Sequence, residues 1–300
     1  MLGARHLLLG DPTPRFAERR SDLVQWTEGA PERVGGHDVH TVRLVASSGL
    51  EVELLVKRPA ADDATAAAAP VRRPVIVIAG GHRTGREAAR LIPDTRGTVV
   101  AALSYPLRGA RPRTGVEVVR AVPAIRDAIL DTPPAMMLAL DYLLRQPYAD
   151  ASRAELVGVS LGAPFAVIAG SLDPRFRRVW AIHGSGGSYV PLEHNMRRKI
   201  PLTPLRVAAA RLADVIIGGP RLAPEQWAPR IAPRPFVMVN ALDDVQMPRA
   251  EVDRLYASAR TPKEIIWVPG GHVRSRPEVV HPLIELVLSR VLADDNGERP

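Results

Sequence analysis

A single serine stands between small residues in the run Gly158-Val159-Ser160-Leu161-Gly162. A serine hydroxyl is a weak nucleophile unless a base takes its proton, and the base needs an acid to orient it. This run follows an apolar stretch typical of a strand and precedes a stretch typical of a helix. So tight a turn holds Ser160 at strained backbone angles, and the glycines avoid clashing side chains across it. The pattern predicts a nucleophile at Ser160.

The base must come from one of eight histidines. His272 follows the last strand-like run on a glycine-rich loop, which places it at the same edge of the predicted sheet as Ser160. His183 ends an earlier strand-like run and is the main rival. The sequence favours His272, because the base is expected late in the chain, in the order Ser…Asp…His.

Two adjacent aspartates are candidates for the acid, and both follow the strand-like run 235–240. Asp244 is preferred, because the spacing Asp-x-x-x-Pro ahead of a new helix is the usual arrangement after such a strand. Asp243 is then expected to serve as a turn or cap residue. The choice depends on spacing alone.

An oxyanion formed at the serine would need two backbone N–H donors. One is predicted at Leu161, directly after the nucleophile. The other is predicted in the loop GGHRTG at 80–85, from His82 or, as the alternative, from Gly81. The glycine spacing of this loop also fits a phosphate loop, but Arg-Glu follows where such a loop needs Lys-Ser or Lys-Thr.

The elements that would position these residues alternate along the chain. Short, β-branched runs predict buried strands at 74–79, 98–103, 154–159, 178–182, 235–240 and 264–268. Helical patterns lie at 134–145, 163–172, 249–259 and 278–292. Strands alternating with helices predict an α/β fold with a doubly wound, mostly parallel sheet, and the alternating runs 41–46 and 50–57 predict an antiparallel hairpin before it.

One domain over residues 1–300 is predicted, with an N-terminal extension over 1–40. The alternation stops over about 184–233, a segment predicted as a lid or cap insertion. Its apolar helical run at 207–217 could instead pack on the sheet or against a second subunit in a homodimer.

Composition excludes several classes of protein. The 300 residues contain no cysteine, which rules out disulfides, thiolate metal sites and a cysteine nucleophile. The net charge of +8 comes mainly from scattered arginines without a basic stripe or motif, so no nucleic-acid partner is expected. No apolar run is long enough for membrane insertion and the N-terminus makes a poor signal peptide, so a cytoplasmic location is expected.

Taken together, GVSLG, the GGH loop after the first buried strand and GGH before the last helix resemble an α/β-hydrolase fold serine hydrolase. The resemblance runs from about residue 40 to the C-terminus and is closest to the dienelactone hydrolase and acetyl-esterase-like branch. Dienelactone hydrolases use a cysteine nucleophile, and the serine here shifts the expectation to a carboxylesterase.

The resemblance implies hydrolysis of a small-molecule ester through an acyl-enzyme, with no metal and no organic cofactor. A thioesterase, an acyltransferase or a small peptidase could use the same three residues, and a non-catalytic hydrolase-fold binding protein is a further alternative.

Overall fold

A mixed ten-stranded β-sheet forms the framework of the protein. The computed structural model describes residues 13–60, 71–81, 84–107, 115–197, 199–216, 218–274 and 276–293. Within them the strands are β1 (Leu23–Glu28), β2 (Glu32–Val34), β3 (His37–Ala46), β4 (Glu51–Pro59), β5 (Arg73–Ala79), β6 (Val99–Leu103), β7 (Ala149–Val159), β8 (Arg178–Ile182), β9 (Phe236–Ala241) and β10 (Lys263–Val268).

The spatial order of the strands is β1-β3-β4-β6-β5-β7-β8-β9-β10, with β2 paired to β3. The six strands from β6 to the β10 edge are parallel, and β3 and β4 form an antiparallel hairpin whose second strand pairs antiparallel with β6. All six buried strands and the hairpin predicted from the sequence are present. The predicted doubly wound α/β sheet is therefore confirmed.

Side chains of the central strands enter the core on both faces of the sheet. In β5, Val75 and Val77 belong to one apolar cluster, and Ile76 and Ile78 to the cluster on the opposite face. Because apolar clusters cover both faces of the sheet, neither side of the strand is exposed to solvent, and its sequence is a continuous apolar run.

Eight α-helices flank the sheet within the described residues: α1 (Thr13–Arg20), α2 (Gly115–Leu143), α3 (Gly162–Leu172), α4 (Tyr189–Met196), α5 (Thr203–Ile216), α6 (Gly219–Leu222), α7 (Arg249–Ser258) and α8 (Pro277–Ala293). Helix α2 is longer than the predicted run at 134–145, because it continues through three prolines that a sequence interpretation takes as a boundary. None of the described helices combines the length and apolar character that a membrane span requires.

Part of the segment predicted as an N-terminal extension belongs to the folded sheet. Strands β1 and β2 and the start of β3 all lie before residue 40. Only Leu23 is buried in β1, so the strand lacks an alternating pattern and is held by backbone pairing with β3. Helix α1 is anchored by Phe16, whose ring meets Trp227 edge-on at 5.6 Å.

The segment predicted as a lid contains no strand in its described part. It holds α4, α5 and α6 and two short 3₁₀ helices, Pro224–Gln226 and Ala228–Arg230, between β8 and β9. Within it, the buried Arg206 side chain donates to Glu193 at 2.5 Å and ties α5 to α4.

Candidate active site

Each of four neighbouring parallel strands is followed by a turn or loop that carries a polar side chain. Ser160 follows β7, His183 follows β8, Asp244 lies in the loop after β9, and His272 lies in the loop after β10. Since the carboxyl ends of neighbouring parallel strands meet at one edge of a sheet, side chains far apart in sequence converge there.

The turn at Ser160 has the tight geometry that the sequence predicts. Ser160 has a φ of +53°, which is uncommon for a residue with a side chain, and its N–H donates to the Ile182 carbonyl at 2.8 Å. A Cβ at Gly158 would lie 2.6 Å from that of Ala166, and a Cβ at Gly162 would overlap the Ala79 carbonyl. Both glycines are therefore required by packing.

Ser160, His272 and Asp244 form a continuous hydrogen-bonded chain. The Ser160 Oγ lies 2.8 Å from His272 Nε2, and His272 Nδ1 lies 2.7 Å from Asp244 Oδ2. An ionised carboxylate only accepts hydrogen bonds, so the His272 proton belongs on Nδ1. The free lone pair on Nε2 then faces the serine hydroxyl, which is the arrangement of a base next to a nucleophile.

Asp244 accepts four hydrogen bonds, two at each oxygen. Oδ2 accepts from His272 and, at 3.0 Å, from His183 Nδ1, and Oδ1 accepts from the N–H groups of Gln246 and Met247 at 2.9 and 3.2 Å. Burial alone would raise the pKa of Asp244, but the hydrogen bonds from both histidines and from Gln246 lower it well below its usual range. Asp244 is therefore ionised at neutral pH.

Asp243, the alternative acid, is placed differently. Its side chain is exposed and bonds to no described residue, while its N–H donates to the Gly270 carbonyl at 2.9 Å. The neighbouring Leu242 N–H donates to Val268 at 3.0 Å. These two bonds join the loop that carries Asp244 to the loop that carries His272.

His183 shares the carboxylate with His272, a contact that the sequence does not reveal. The His183 side chain is 1% exposed, and its ring meets that of His272 edge-on at 5.2 Å and 78°. Ser160 bonds to His272 and not to His183. The sequence predicts His183 only as a rival base. Its contact with Asp244 depends on the pairing of β8 with β9, which has no local sequence signal.

Potential ligand atoms of His183, Asp244 and His272 lie within 4.8 Å of one another. Both Nδ1 to Oδ2 separations are hydrogen-bond lengths, and each proton on Nδ1 has its acceptor on the same carboxylate. The geometry therefore fits a hydrogen-bond network better than a metal centre.

The predicted oxyanion donors are only partly described. The Leu161 N–H bonds to no acceptor in the described part of the chain, and Leu161 precedes the first turn of α3. Of the second pair, His82 lies outside the described residues. The Gly81 carbonyl accepts from the N–H groups of Thr84 and Gly85 at 3.0 and 3.1 Å, and the hydroxyl of the half-buried Tyr105 donates to the Gly80 carbonyl. These bonds fix the start of the loop.

Comparisons with known proteins identify the fold. No protein-family model and no curated protein matches the chain. Among solved structures, an acetyl xylan esterase from Paenibacillus sp. R4 is 19% identical over 91% of this chain and 92% of that one, with a TM-score of 0.61. Acetyl xylan esterase 1 from Thermoanaerobacterium sp. JW/SL YS485 is 13% identical over 93% of each chain, with a TM-score of 0.62. A glucuronoyl esterase from Solibacter usitatus is 15% identical over 93% of this chain and 91% of that one, with a TM-score of 0.53.

At these identities the likeness shows the fold. The strand order, the turn at Ser160 and the structural neighbours together define an α/β-hydrolase fold, as the sequence predicts.

Proposed function

We propose that the protein is a serine hydrolase that cleaves carboxylic esters. The observation that carries this proposal is the 2.8 Å contact between Ser160 Oγ and His272 Nε2. Several structural neighbours are named esterases, which supports the same class of substrate for this chain.

Acylation begins when Ser160 Oγ attacks the ester carbonyl and His272 Nε2 takes the hydroxyl proton. Asp244, ionised and bonded to Nδ1, stabilises the imidazolium that forms. The same proton then passes to the departing alcohol, and an acyl-enzyme remains on Ser160. His272 then takes a proton from water, and the hydroxide attacks the acyl carbon. The bond to Ser160 Oγ breaks as the acid leaves, and His272 returns its proton to the serine oxygen.

The tetrahedral intermediates carry a negative oxygen that must be stabilised. The Leu161 N–H, which bonds to no acceptor among the described residues, is one donor in this proposal, and the positive end of α3 adds to its effect. The second donor is the N–H of His82 or of Gly81. Each such donor contributes about 2.7–4 kcal/mol to transition-state stabilisation.

The segment 184–233 is proposed as a cap over the site. Its first residue directly follows His183, and the Gly187 N–H is held by the Glu225 carboxylate at 2.8 Å. Exposed apolar side chains occur both beside the site, at Leu161, Leu242 and Val245, and on α5, at Leu205 and Leu212. A cap closing over an apolar ester would bury such surfaces. If Leu205→Gln with Leu212→Gln leaves the preference for acyl-chain length unchanged, α5 takes no part in substrate binding.

Initial rates on p-nitrophenyl esters from acetate to laurate, measured beside Ser160→Ala, test the ester hydrolase. We expect turnover with a clear optimum in chain length, and a fall of about 10⁴–10⁶ in kcat for the variant. An equal rate for both proteins across the series would contradict ester hydrolysis. Turnover of acyl thioesters or peptides instead of esters would assign the same residues to a thioesterase or a peptidase.

A further inference from the structure

A second buried imidazole lies against the candidate acid. His183 Nδ1 is 3.0 Å from Asp244 Oδ2, the same oxygen that accepts from His272 Nδ1 at 2.7 Å. Because that carboxylate is an acceptor only, both imidazoles donate from Nδ1. The ring of His183 is 1% exposed, so water does not replace this bond.

The backbone at His183 is held in a conformation that favours glycine. Its φ is +50°, and its N–H donates to the Val239 carbonyl on β9 at 2.7 Å. A residue with a bulky ring stays in this region only where its surroundings enforce it, and such strained residues cluster at functional sites. This backbone bond aims the ring at the loop after β9.

We propose that His183 is a positioning residue for the proposed hydrolysis: its Nδ1–H fixes Asp244 Oδ2 between two imidazoles and takes up part of the negative charge that would otherwise act on His272. The inference rests on the proposed function, because it assigns His183 a role through Asp244 and His272. The titratable groups that the structure records against the His183 ring are those same two.

Loss of the His183 donor has two consequences for His272. Asp244 Oδ1 stays bonded to Gln246 and Met247, but Oδ2 keeps a single donor and is less firmly oriented. The charge left on Oδ2 also stabilises protonated His272 more strongly. At acidic pH a larger fraction of the enzyme then carries a protonated His272, which cannot act as a base.

Three variants at one position separate this role from simple packing. His183→Asn keeps a side-chain N–H close to the place of Nδ1, and asparagine tolerates positive φ. His183→Leu has nearly the same shape as the asparagine variant but no donor. His183→Gly also lacks the donor and removes the backbone strain, so it serves if the leucine variant does not fold.

The pH dependence of kcat/KM is the first measurement. For His183→Leu and His183→Gly we expect a loss of about 10- to 100-fold at the plateau, carried by kcat. Their acidic limb should move to higher pH by about 0.5–1 unit. His183→Asn should restore both quantities nearly to those of the parent protein. An unmoved acidic limb, or an asparagine variant as impaired as leucine, would reduce His183 to a packing residue and overturn the proposal.

A second measurement does not depend on turnover. Proton NMR of ¹⁵N-histidine-labelled protein should show two far-downfield Nδ1–H resonances, one from each imidazole bonded to Asp244. His183→Leu should remove one resonance and shift the other. A His272 resonance that stays in place overturns the positioning role even if the protein hydrolyses esters. Shifted resonances in a protein without esterase activity would contradict the proposed function alone.

Discussion

Replacing Asp244 with asparagine perturbs a carboxylate on which four hydrogen bonds meet. Oδ1 accepts two backbone N–H groups and Oδ2 accepts two imidazole N–H groups. An amide has one oxygen, so in either orientation its NH₂ group faces two donors. With about 1.5–3 kcal/mol for each hydrogen bond to a charged group, partly recovered by rearrangement, Asp244→Asn should lower the free energy of unfolding by about 2–4 kcal/mol.

The same substitution should be more damaging to turnover than to folding. If the NH₂ group faces the imidazoles, His272 must carry its proton on Nε2, and the nitrogen next to Ser160 can no longer act as a base. We expect kcat on p-nitrophenyl acetate to fall by about 10³–10⁴. Urea unfolding measures the stability change in the same samples.

Asp243→Asn is the matched control, because it makes the same chemical change one residue away on an exposed side chain. It should leave kcat within about twofold and stability within about 0.5 kcal/mol. Equal losses in the two variants, or a larger loss in Asp243→Asn, would refute the assignment of Asp244 as the acid.

The stability difference should also depend on pH with a defined sign. The fold lowers the pKa of Asp244 from its ordinary value of 3.8, so the ionised carboxylate stabilises the native state above that pH. This contribution is lost as the pH falls through the lowered pKa. The gap in unfolding free energy between the parent protein and Asp244→Asn should therefore narrow as the pH falls below about 4. A gap that stays the same or widens below about pH 4 would contradict the hydrogen-bond network.

Three further substitutions, one of them a control, test the elements that hold the site. Gly158→Ala should lower stability by about 3 kcal/mol and abolish esterase activity, because its Cβ would lie 2.6 Å from that of Ala166. Gly81→Ala is the control, because its Cβ would meet no described residue closer than 3.8 Å. It should unfold at nearly the parent urea concentration, and equal destabilisation of both variants would argue against the packing explanation. Tyr105→Phe removes the hydroxyl that bonds to the Gly80 carbonyl, and should lower unfolding free energy by about 0.5–1.5 kcal/mol and kcat by up to about tenfold. An unchanged kcat would separate this bond from the oxyanion loop.

The buried strands could be predicted because burial on both faces of the sheet requires an almost wholly apolar sequence. β5 and β6 face apolar clusters on both sides, so nearly all of their residues are buried. β1 could not be predicted in this way, because its backbone pairing with β3 leaves most of its side chains exposed and free to be polar. The sequence predicts only the end of α2, and the structure extends the helix through Pro123, Pro133 and Pro134.

The candidate site also has a part that the sequence predicts and a part that it does not. Ser160, Asp244 and His272 could be predicted because each follows a strand within a local pattern of glycine, proline or acidic residues. The bond between His183 and Asp244 depends on which strands are neighbours and on the strained angle at His183, and neither has a local signal.

Covalent labelling by diethyl p-nitrophenyl phosphate tests most directly whether Ser160 is an activated nucleophile. Phosphorylation of an activated serine releases p-nitrophenol and leaves a diethylphosphoryl group that intact-mass spectrometry and peptide mapping locate. We expect one adduct per chain, on the peptide that contains Ser160, with strongly reduced labelling in His272→Asn and Asp244→Asn. Labelling at another serine, or equal labelling in Ser160→Ala, would contradict the assignment of Ser160 as the nucleophile.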